Sequence, residues 1–356
     1  MSARDVIEVR PDETFDEARL LAWLRQQELP GLEGSMRVRQ FGGGKANLTY
    51  LLEFDQARYV LRRPPLGEIP KGAHDMSREY RVLSRLHREF PPAPRAWLFS
   101  DDHDIIGADF FIMEYRQGVV VREQMPAEFA ALDDAPERMS FALVDALADL
   151  HRVDPERAGL GELGRPEGFI QRQVEGWYKR WQAAELDPVE EMDQVCHWLR
   201  EHLPESQRVS LIHNDYKLDN AMLASDDPGR IVAIFDWDMC TLGDPLSDLG
   251  ALLTYWTQAD DPAEFRAMAM MPIDPRFPSR EQLVERYAKR SGLDVSAIAF
   301  YHVLGLFRLA VILQQIFIRY HRGQTRDRRF AGYSELAGLA ARRALATTDR
   351  STHDKA

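Results

Sequence analysis

Cysteine is nearly absent from this sequence. Among 356 residues only Cys196 and Cys240 occur, and they form no CxxC pair. Two isolated thiols argue against a disulfide framework and a zinc site, and they fit a reducing cytoplasm. Long apolar runs are missing too. No stretch approaches the ~18 apolar residues of a membrane helix, so no membrane partner is expected. The opening MSARDVIEVRPDE lacks the apolar segment of a secretory signal. Positive charge is in deficit: 45 Lys and Arg face 57 Asp and Glu, for a net charge of −12. Such a surface repels phosphate backbones, which argues against nucleic acid as a partner. Internal repeats and low-complexity blocks are also lacking.

What remains is ordinary globular composition, 45% hydrophobic and 29% charged, in a chain long enough for two lobes. Residues 1–12 and 346–356 read as frayed ends. Thr14 and Glu17 read as a capping box before an amphipathic helix bearing Leu20, Leu21, Trp23 and Leu24. A β-rich section follows: MRVRQF, the glycine run GGGKAN, LTYLLEF, a turn at Asp55 and Gln56, and RYVLRR. Residues 75–90 carry a helical stripe of Val82, Leu83, Leu86 and Phe90. PPAPRAWLF and DFFIMEY add two strands, and RQGV, residues 116–119, reads as a hinge. Beyond it the pattern turns helical, interrupted by an acidic cluster between two short strands. The expected organisation is α+β. An N-lobe spans 1–115, a hinge 116–119 and a mostly helical C-lobe 120–356, with a ligand in the cleft between lobes.

The acidic cluster carries the chemistry. LIHNDYKLDN, residues 211–220, and IVAIFDWD, residues 231–238, bring Asp215, Asp219, Asp236 and Asp238 close in sequence. These carboxylates repel one another unless a cation sits among them. His213-x-Asp215-x-x-x-x-Asn220 has the spacing of the protein-kinase catalytic loop, in which the Asp meets the acceptor hydroxyl and the Asn binds Mg²⁺. Asp236 ends an apolar run where that pattern places its second metal ligand. Mg²⁺ takes oxygen ligands and often combines one or two carboxylates with substrate phosphates. The missing cation is therefore read as Mg²⁺ brought in with a nucleotide, ATP. The competing explanation is a polar loop of solvated acids.

HNDYKLDN, AIFDWD and LGDPLSDLG, in this order and spacing, resemble the aminoglycoside-phosphotransferase and choline-kinase-like family. FGGGKANLTYLL, YVLRRPP, MSREYRVLSRL, RQVEGWYKRW and ILQQIFIRYHRGQT are most similar to the phosphotransferase-like domain associated with acyl-CoA dehydrogenases. The resemblance covers nearly the whole chain. It implies a protein-kinase-like bilobal fold and ATP-dependent transfer of a phosphoryl group to a small-molecule hydroxyl. Asp215 would orient or deprotonate the hydroxyl, and Asn220 and Asp236 would hold Mg²⁺. Gly44, Lys45, Ala46 and Asn47 would cover the nucleotide phosphates, where glycine lets backbone N–H groups approach closely. The run is not a Walker loop, because Ala46 follows Lys45. Arg62 ends YVLR where kinases carry a lysine, and Glu79 is its expected ion-pair partner. The backbone of Met113, Glu114 and Tyr115 would meet adenine. Asp248 would brace the catalytic loop, and His213 reads as a buried hydrogen-bonding residue.

The acceptor side is less constrained. Arg308, Arg319, Arg322, Arg326, Arg328 and Arg329 stand against Asp327 alone, a local excess of positive charge. Such cations suit either a helix end or an anionic substrate. Asp238, Arg172, Trp177, Arg319 and Arg322 are the substrate-side candidates, and Trp177 and Trp181 suit a core stripe equally well. The resemblance implies a hydroxyacyl-CoA or hydroxy acid acceptor. The rivals are a nucleotide-binding pseudokinase and a kinase of an aminoglycoside, choline or a sugar.

Overall fold

The computed structural model describes residues 6–42, 47–67, 74–325 and 327–353. The chain starts with β1 (Val6–Ile7), α1 (Glu17–Leu24), β2 (Arg37–Phe41), β3 (Leu48–Glu53) and β4 (Arg58–Arg63). Then come α2 (Met76–Leu86), β5 (Ala96–Ser100), α3 (His103–Ile106) and β6 (Phe110–Glu114). The strands form one antiparallel sheet in the order β1-β2-β3-β4-β6-β5. Period-two alternation divides the apolar residues between its faces. Tyr50, Leu52, Leu61, Phe110 and Ile112 pack with Leu20 and Leu24 of α1. Leu51, Val60, Phe111 and Met113 pack with Val82, Leu83 and Leu86 of α2 and join the main core. β4 is central, and its register pairs Arg62 with Thr49 on one side and Phe111 on the other.

The chain leaves this sheet at Glu114 and enters another at β7 (Val119–Val120). Helices α4 (Ala135–Arg152), α5 (Phe169–Ala184) and α6 (Glu190–Glu201) follow. Then come strands β8 (Ser210–Ile212), β9 (Ala221–Ala224), β10 (Asp227–Ile234) and β11 (Thr241–Gly243). The chain closes with α7 (Leu246–Tyr255), α8 (Ala263–Arg266), α9 (Arg280–Ser291), α10 (Ile298–His321) and α11 (Tyr333–His353). β7 and β10 flank β9 in a three-stranded sheet, and β8 pairs with β11. A sheet-rich first part and a helical second part make the fold α+β and protein-kinase-like.

Several local expectations are corrected. The cap of α1 is Asp16, whose carboxylate accepts from the Arg19 N–H at 2.9 Å; Thr14 instead donates to the Pro11 carbonyl. Residues 6 and 7 are not frayed, because they pair with Phe41 and Gln40. Residues 346–353 are not frayed either, because α11 continues to His353 and buries Ala344 and Thr348; residues 354–356 lie outside the described residues. Four strands, not two, surround the acidic cluster. α10 is long and apolar enough to cross a membrane, although no such stretch was expected, and 67% of its apolar window is buried. It packs against α5, α6, α7 and α11 as a core helix, and a helix apolar all round demands such cover.

α7 and α10 meet at their backbones. A Cβ at Gly250 would overlap the Tyr301 carbonyl, and one at Gly305 would overlap the Thr254 hydroxyl. Gly250→Ala is therefore expected to destabilise the protein by about 1–3 kcal/mol despite its better helix propensity, because overpacked cores must shift backbone. Urea denaturation measures this, and a stabilised variant would show that the two helices separate freely.

Candidate active site

The catalytic-loop segment follows β8, and its brace lies on α7. Asp248 is fully buried there. Its carboxylate accepts from the N–H of His213 at 2.6 Å and of Asn214 at 2.7 Å. The His151 ring approaches it at 3.3 Å through Nε2. A carboxylate only accepts, so Nε2 carries the proton and Nδ1 takes the Tyr287 hydroxyl at 2.6 Å. Burial pushes the Asp248 carboxyl up, but His151 and the loop donors outweigh it and hold it below the usual carboxylate range.

His213 joins the two acidic segments. Its Nδ1 accepts from the Asp215 N–H at 3.2 Å, and its Nε2 donates to the Phe235 carbonyl at 2.8 Å. The Phe235 N–H returns a bond to the Asn220 carbonyl at 2.8 Å. Both segments carry backbone strain where they meet. Among the described residues, His74, Asn214 and Asp236 are the non-glycine positions with positive φ, at 56°, 66° and 71°. Asn tolerates this conformation through its short polar side chain, and strain of this kind concentrates at functional sites.

Asp215 is held from two sides. Lys217 Nζ lies 2.7 Å from its Oδ2, and the Asn220 amide nitrogen donates to the same oxygen at 2.9 Å and to the Asp215 carbonyl at 2.8 Å. Lys217 also lies 5.2 Å from the centre of the Tyr255 ring. Burial works against the Lys217 charge, but Asp215 outweighs it and raises the ammonium above its usual range.

Arg62 reaches the same region from β4. Its Nε donates to Glu79 Oε2 at 2.7 Å, and its NH2 bonds Asp236 Oδ1. Glu79 sits on α2, which is tied to the Asp236 segment by two further links. The Trp237 N–H donates to Glu79 Oε1 at 3.3 Å, and Arg78 donates to the Cys240 carbonyl at 2.9 Å. Burial pushes Glu79 up to about 7, with Arg62 pulling the other way. Burial also pushes Asp236 up, but Arg62 outweighs it and holds the carboxyl below its ordinary value. Asp238 is raised by burial and by repulsion from Asp236.

Arg62 and Glu79 should therefore act as a unit. The double-mutant cycle of Arg62→Ala and Glu79→Ala, read as nucleotide dissociation constants, is expected to show a coupling of about 0.5–3 kcal/mol. Full additivity would mean that the pair plays no joint part. Arg62→Lys keeps a charge but loses the two-sided contact, so partial retention is expected.

Of the remaining candidates, Gly44, Lys45 and Ala46 lie outside the described residues. Asn47 is buried, and among the described residues neither its amide nitrogen nor its oxygen finds a partner. An orphaned amide beside the glycine run fits a phosphate ligand. Met113 is buried in β6, and the Glu114 N–H is engaged by the Arg95 carbonyl at 2.9 Å. Tyr115 lies beneath the Arg58 guanidinium. No group of three His, Cys, Asp or Glu suited to a metal occurs among the described residues. The donors expected for Mg²⁺, Asp236 and the Asn220 amide oxygen, are oxygen ligands that would suit an ion completed by nucleotide phosphates.

The substrate-side candidates do not gather in one place. Arg172 bonds the carbonyls of Arg165 and Glu167 at the start of its own helix. Arg319 bonds the Gln315 carbonyl one turn back, at the far end of α10. Arg319 and Arg322 stand 11 and 14 residues beyond Arg308, roughly 16 and 21 Å along a helix axis. Trp181 is core. Trp177 is buried, with the guanidinium groups of Arg180 and Arg308 lying 4.5 and 5.1 Å from its ring centre. Sequence reasoning passed over Lys217, Tyr255 and His151, and it counted Arg308 only as one of a basic group. The available signal was the position of Arg308, a single charge inside GLFRLAV.

A β-rich region donating an Arg–Glu pair to a loop with a catalytic-type Asp, Asn and second Asp defines the class of kinase-like small-molecule phosphotransferases. Comparison with known proteins agrees. Residues 37–279 match the model of the phosphotransferase enzyme family, and the chain belongs to that family. A protein of aminoglycoside-phosphotransferase type from Ralstonia eutropha superposes with a TM-score of 0.80 at 30% identity, covering 95% of this chain and 99% of that one. Choline kinase from Cryptosporidium parvum gives a TM-score of 0.65 at 12% identity, covering 96% and 97%, a likeness of fold alone. Rat acyl-CoA dehydrogenase family member 11 is 34% identical over 332 residues. That match takes in 90% of this chain but 42% of the relative, so the chain spans well under half of that protein.

Proposed function

We propose that this chain transfers the γ-phosphoryl group of ATP to the hydroxyl of a small molecule, with a hydroxyacyl-CoA or related hydroxy acid as acceptor. The observation that carries the reading is one hydrogen-bonded unit. Asp215, Asn220 and Asp236 are drawn together by His213 and Phe235, although Asp236 lies 21 residues from Asp215. Asp215 accepts the hydroxyl proton as the acceptor oxygen bonds to phosphorus, and the bond to the β-phosphate oxygen breaks with its electron pair leaving on ADP. Lys217 and Asn220 fix the rotamer of the Asp215 carboxylate. Asn220 and Asp236 would hold Mg²⁺, which supplies charge neutralisation on the phosphates. Arg62, Asn47 and the glycine run position the phosphates, and the crossing from Glu114 to Val119 serves as the hinge. The acceptor class rests on likeness to proteins named for acyl-CoA dehydrogenation and on the cations near Asp215, which disfavour a polycationic aminoglycoside.

The Arg62–Asp236 contact favours a second reading, a nucleotide-binding protein without turnover, because it engages the metal-facing carboxylate. Thermal shift with ATP and transfer from radiolabelled ATP separate the two. Mg²⁺–ATP is expected to raise the melting temperature well above ATP with chelator, since a ligand of the folded state stabilises it. Equal shifts would remove the metal assignment, and a Mg²⁺-dependent shift without label transfer to any hydroxyacyl acceptor would favour the second reading.

A further inference from the structure

Arg308 sits in the middle of α10, between Phe307 and Leu309, and is only 8% exposed. Its NH2 donates to the Asn214 carbonyl at 3.0 Å, and its guanidinium lies over Trp177. Among the described residues it makes no ion pair, whereas the comparably buried Arg280 is locked onto Asp261. Buried charges are ordinarily paired, because desolvation is expensive. Holding one carbonyl does not require a charge, and a neutral amide would do it. A guanidinium has five N–H donors, and the contact to the Asn214 carbonyl engages NH2 alone. Burial lowers its proton affinity, with Tyr255, Asp248 and Asp215 drawing it back and Arg180 opposing them. The Asn214 carbonyl it holds is the one directly preceding Asp215.

We propose that Arg308 is the specificity-determining residue of the acceptor side, receiving the acyl oxygen of the substrate while the substrate hydroxyl lies at Asp215. This rests on the phosphoryl-transfer reading and narrows it to acceptors whose acyl group and hydroxyl are a few bonds apart. A carboxylate or a thioester carbonyl supplies the oxygen, and either accepts a charge-assisted bond from a fork of donors. Trp177 packs against the guanidinium, whose carbon lies 5.1 Å from the ring centre, and Arg180, 4.5 Å from the same ring centre, adds positive potential. Tyr255 and the stem of Lys217 face the chain of carbons between the two groups.

The test compares the full chain with its Arg308→Gln and Arg308→Lys variants on 3-hydroxybutanoate, its CoA thioester and butane-1,3-diol. The ratio of kcat/KM for the acyl acceptor over the diol is expected to fall by about 10–100-fold in Arg308→Gln, mainly through KM, with partial recovery in Arg308→Lys. Loss confined to the free acid identifies a carboxylate as the ligand, and loss with the thioester identifies its carbonyl. Equal loss on all three acceptors, with a lowered melting temperature, would reduce Arg308 to a brace and overturn the proposal. Calorimetric titration with butanoate and butanoyl-CoA gives a readout free of turnover. Arg308-dependent binding without label transfer would keep Arg308 as the ligand of the acyl oxygen and remove the phosphoryl-transfer reading. Binding of neither, or binding indifferent to Arg308, would sink the inference alone.

Discussion

Asp215→Asn is expected to reduce phosphoryl transfer by about 10²–10⁴-fold, the range of a lost general base, while Mg²⁺–ATP binding stays nearly intact. In the proposed reading the carboxylate that Lys217 and Asn220 hold would face the acceptor, and the nucleotide would keep other contacts through Arg62 and Asp236. An amide cannot take the hydroxyl proton and cannot pair with the Lys217 ammonium. Asp236→Asn should show the opposite pattern, with nucleotide affinity lost first, because that carboxylate would hold the metal in the proposed reading. Single-turnover rates and nucleotide dissociation constants for both variants make the comparison. If Asp215→Asn loses ATP affinity as badly as Asp236→Asn, the division of roles is wrong.

The second large effect falls on stability. Asp248→Ala strands the buried N–H groups of His213 and Asn214 and the ring N–H of His151. Breaking a buried charged network by removing one partner typically costs about 3–5 kcal/mol, so the variant should unfold at much lower urea concentration. Activity should fall with it, since the same two amides set the direction of Asp215. Acid sensitivity follows from the same carboxylate. Its pKa is depressed in the folded protein, so its contribution is present above the ordinary carboxylate range and is lost as pH falls through the folded value. The variant's stability should therefore decline less steeply with acid than that of the wild type. Parallel acid denaturation curves would show that Asp248 is not the titrating brace.

Much of the architecture was legible without coordinates. The strands of the first sheet carry period-two patterns with β-branched and aromatic residues, and the turn at Asp55 and Gln56 closes β3 and β4 as expected, with the Phe54 N–H on the Ala57 carbonyl at 2.8 Å. The helical stripe of α2 falls where apolar spacing placed it, and the helical pattern expected beyond the hinge is met by α4, α5 and α9. The ends misled because local polarity says little about docking. Val6 and Ile7 gain order by pairing with β2, and α11 gains it by laying alanines against α10. The cap of α1 shifted from Thr14 to Asp16 because both residue types cap well and only the path of the chain chooses between them.

The site divides along the same line. Spacing alone made Asp215, Asn220 and Asp236 candidates, since a loop of five residues and a strand end are local features, and it paired Arg62 with Glu79 through kinase-like order. No one-dimensional pattern could show that Arg62 also reaches Asp236, that His151 of α4 props Asp248, or that Arg308 lies against the catalytic loop rather than with the arginines at the end of α10. Those contacts join residues 94 and more positions apart. What the sequence determined by itself was the chemistry on offer: which carboxylates, amide and cations stand near one another along the chain. The tertiary structure decided which cations meet which carboxylates and which are left without one, because a charge's partner in a desolvated interior is set by helix crossings and strand register, not by nearness in the chain.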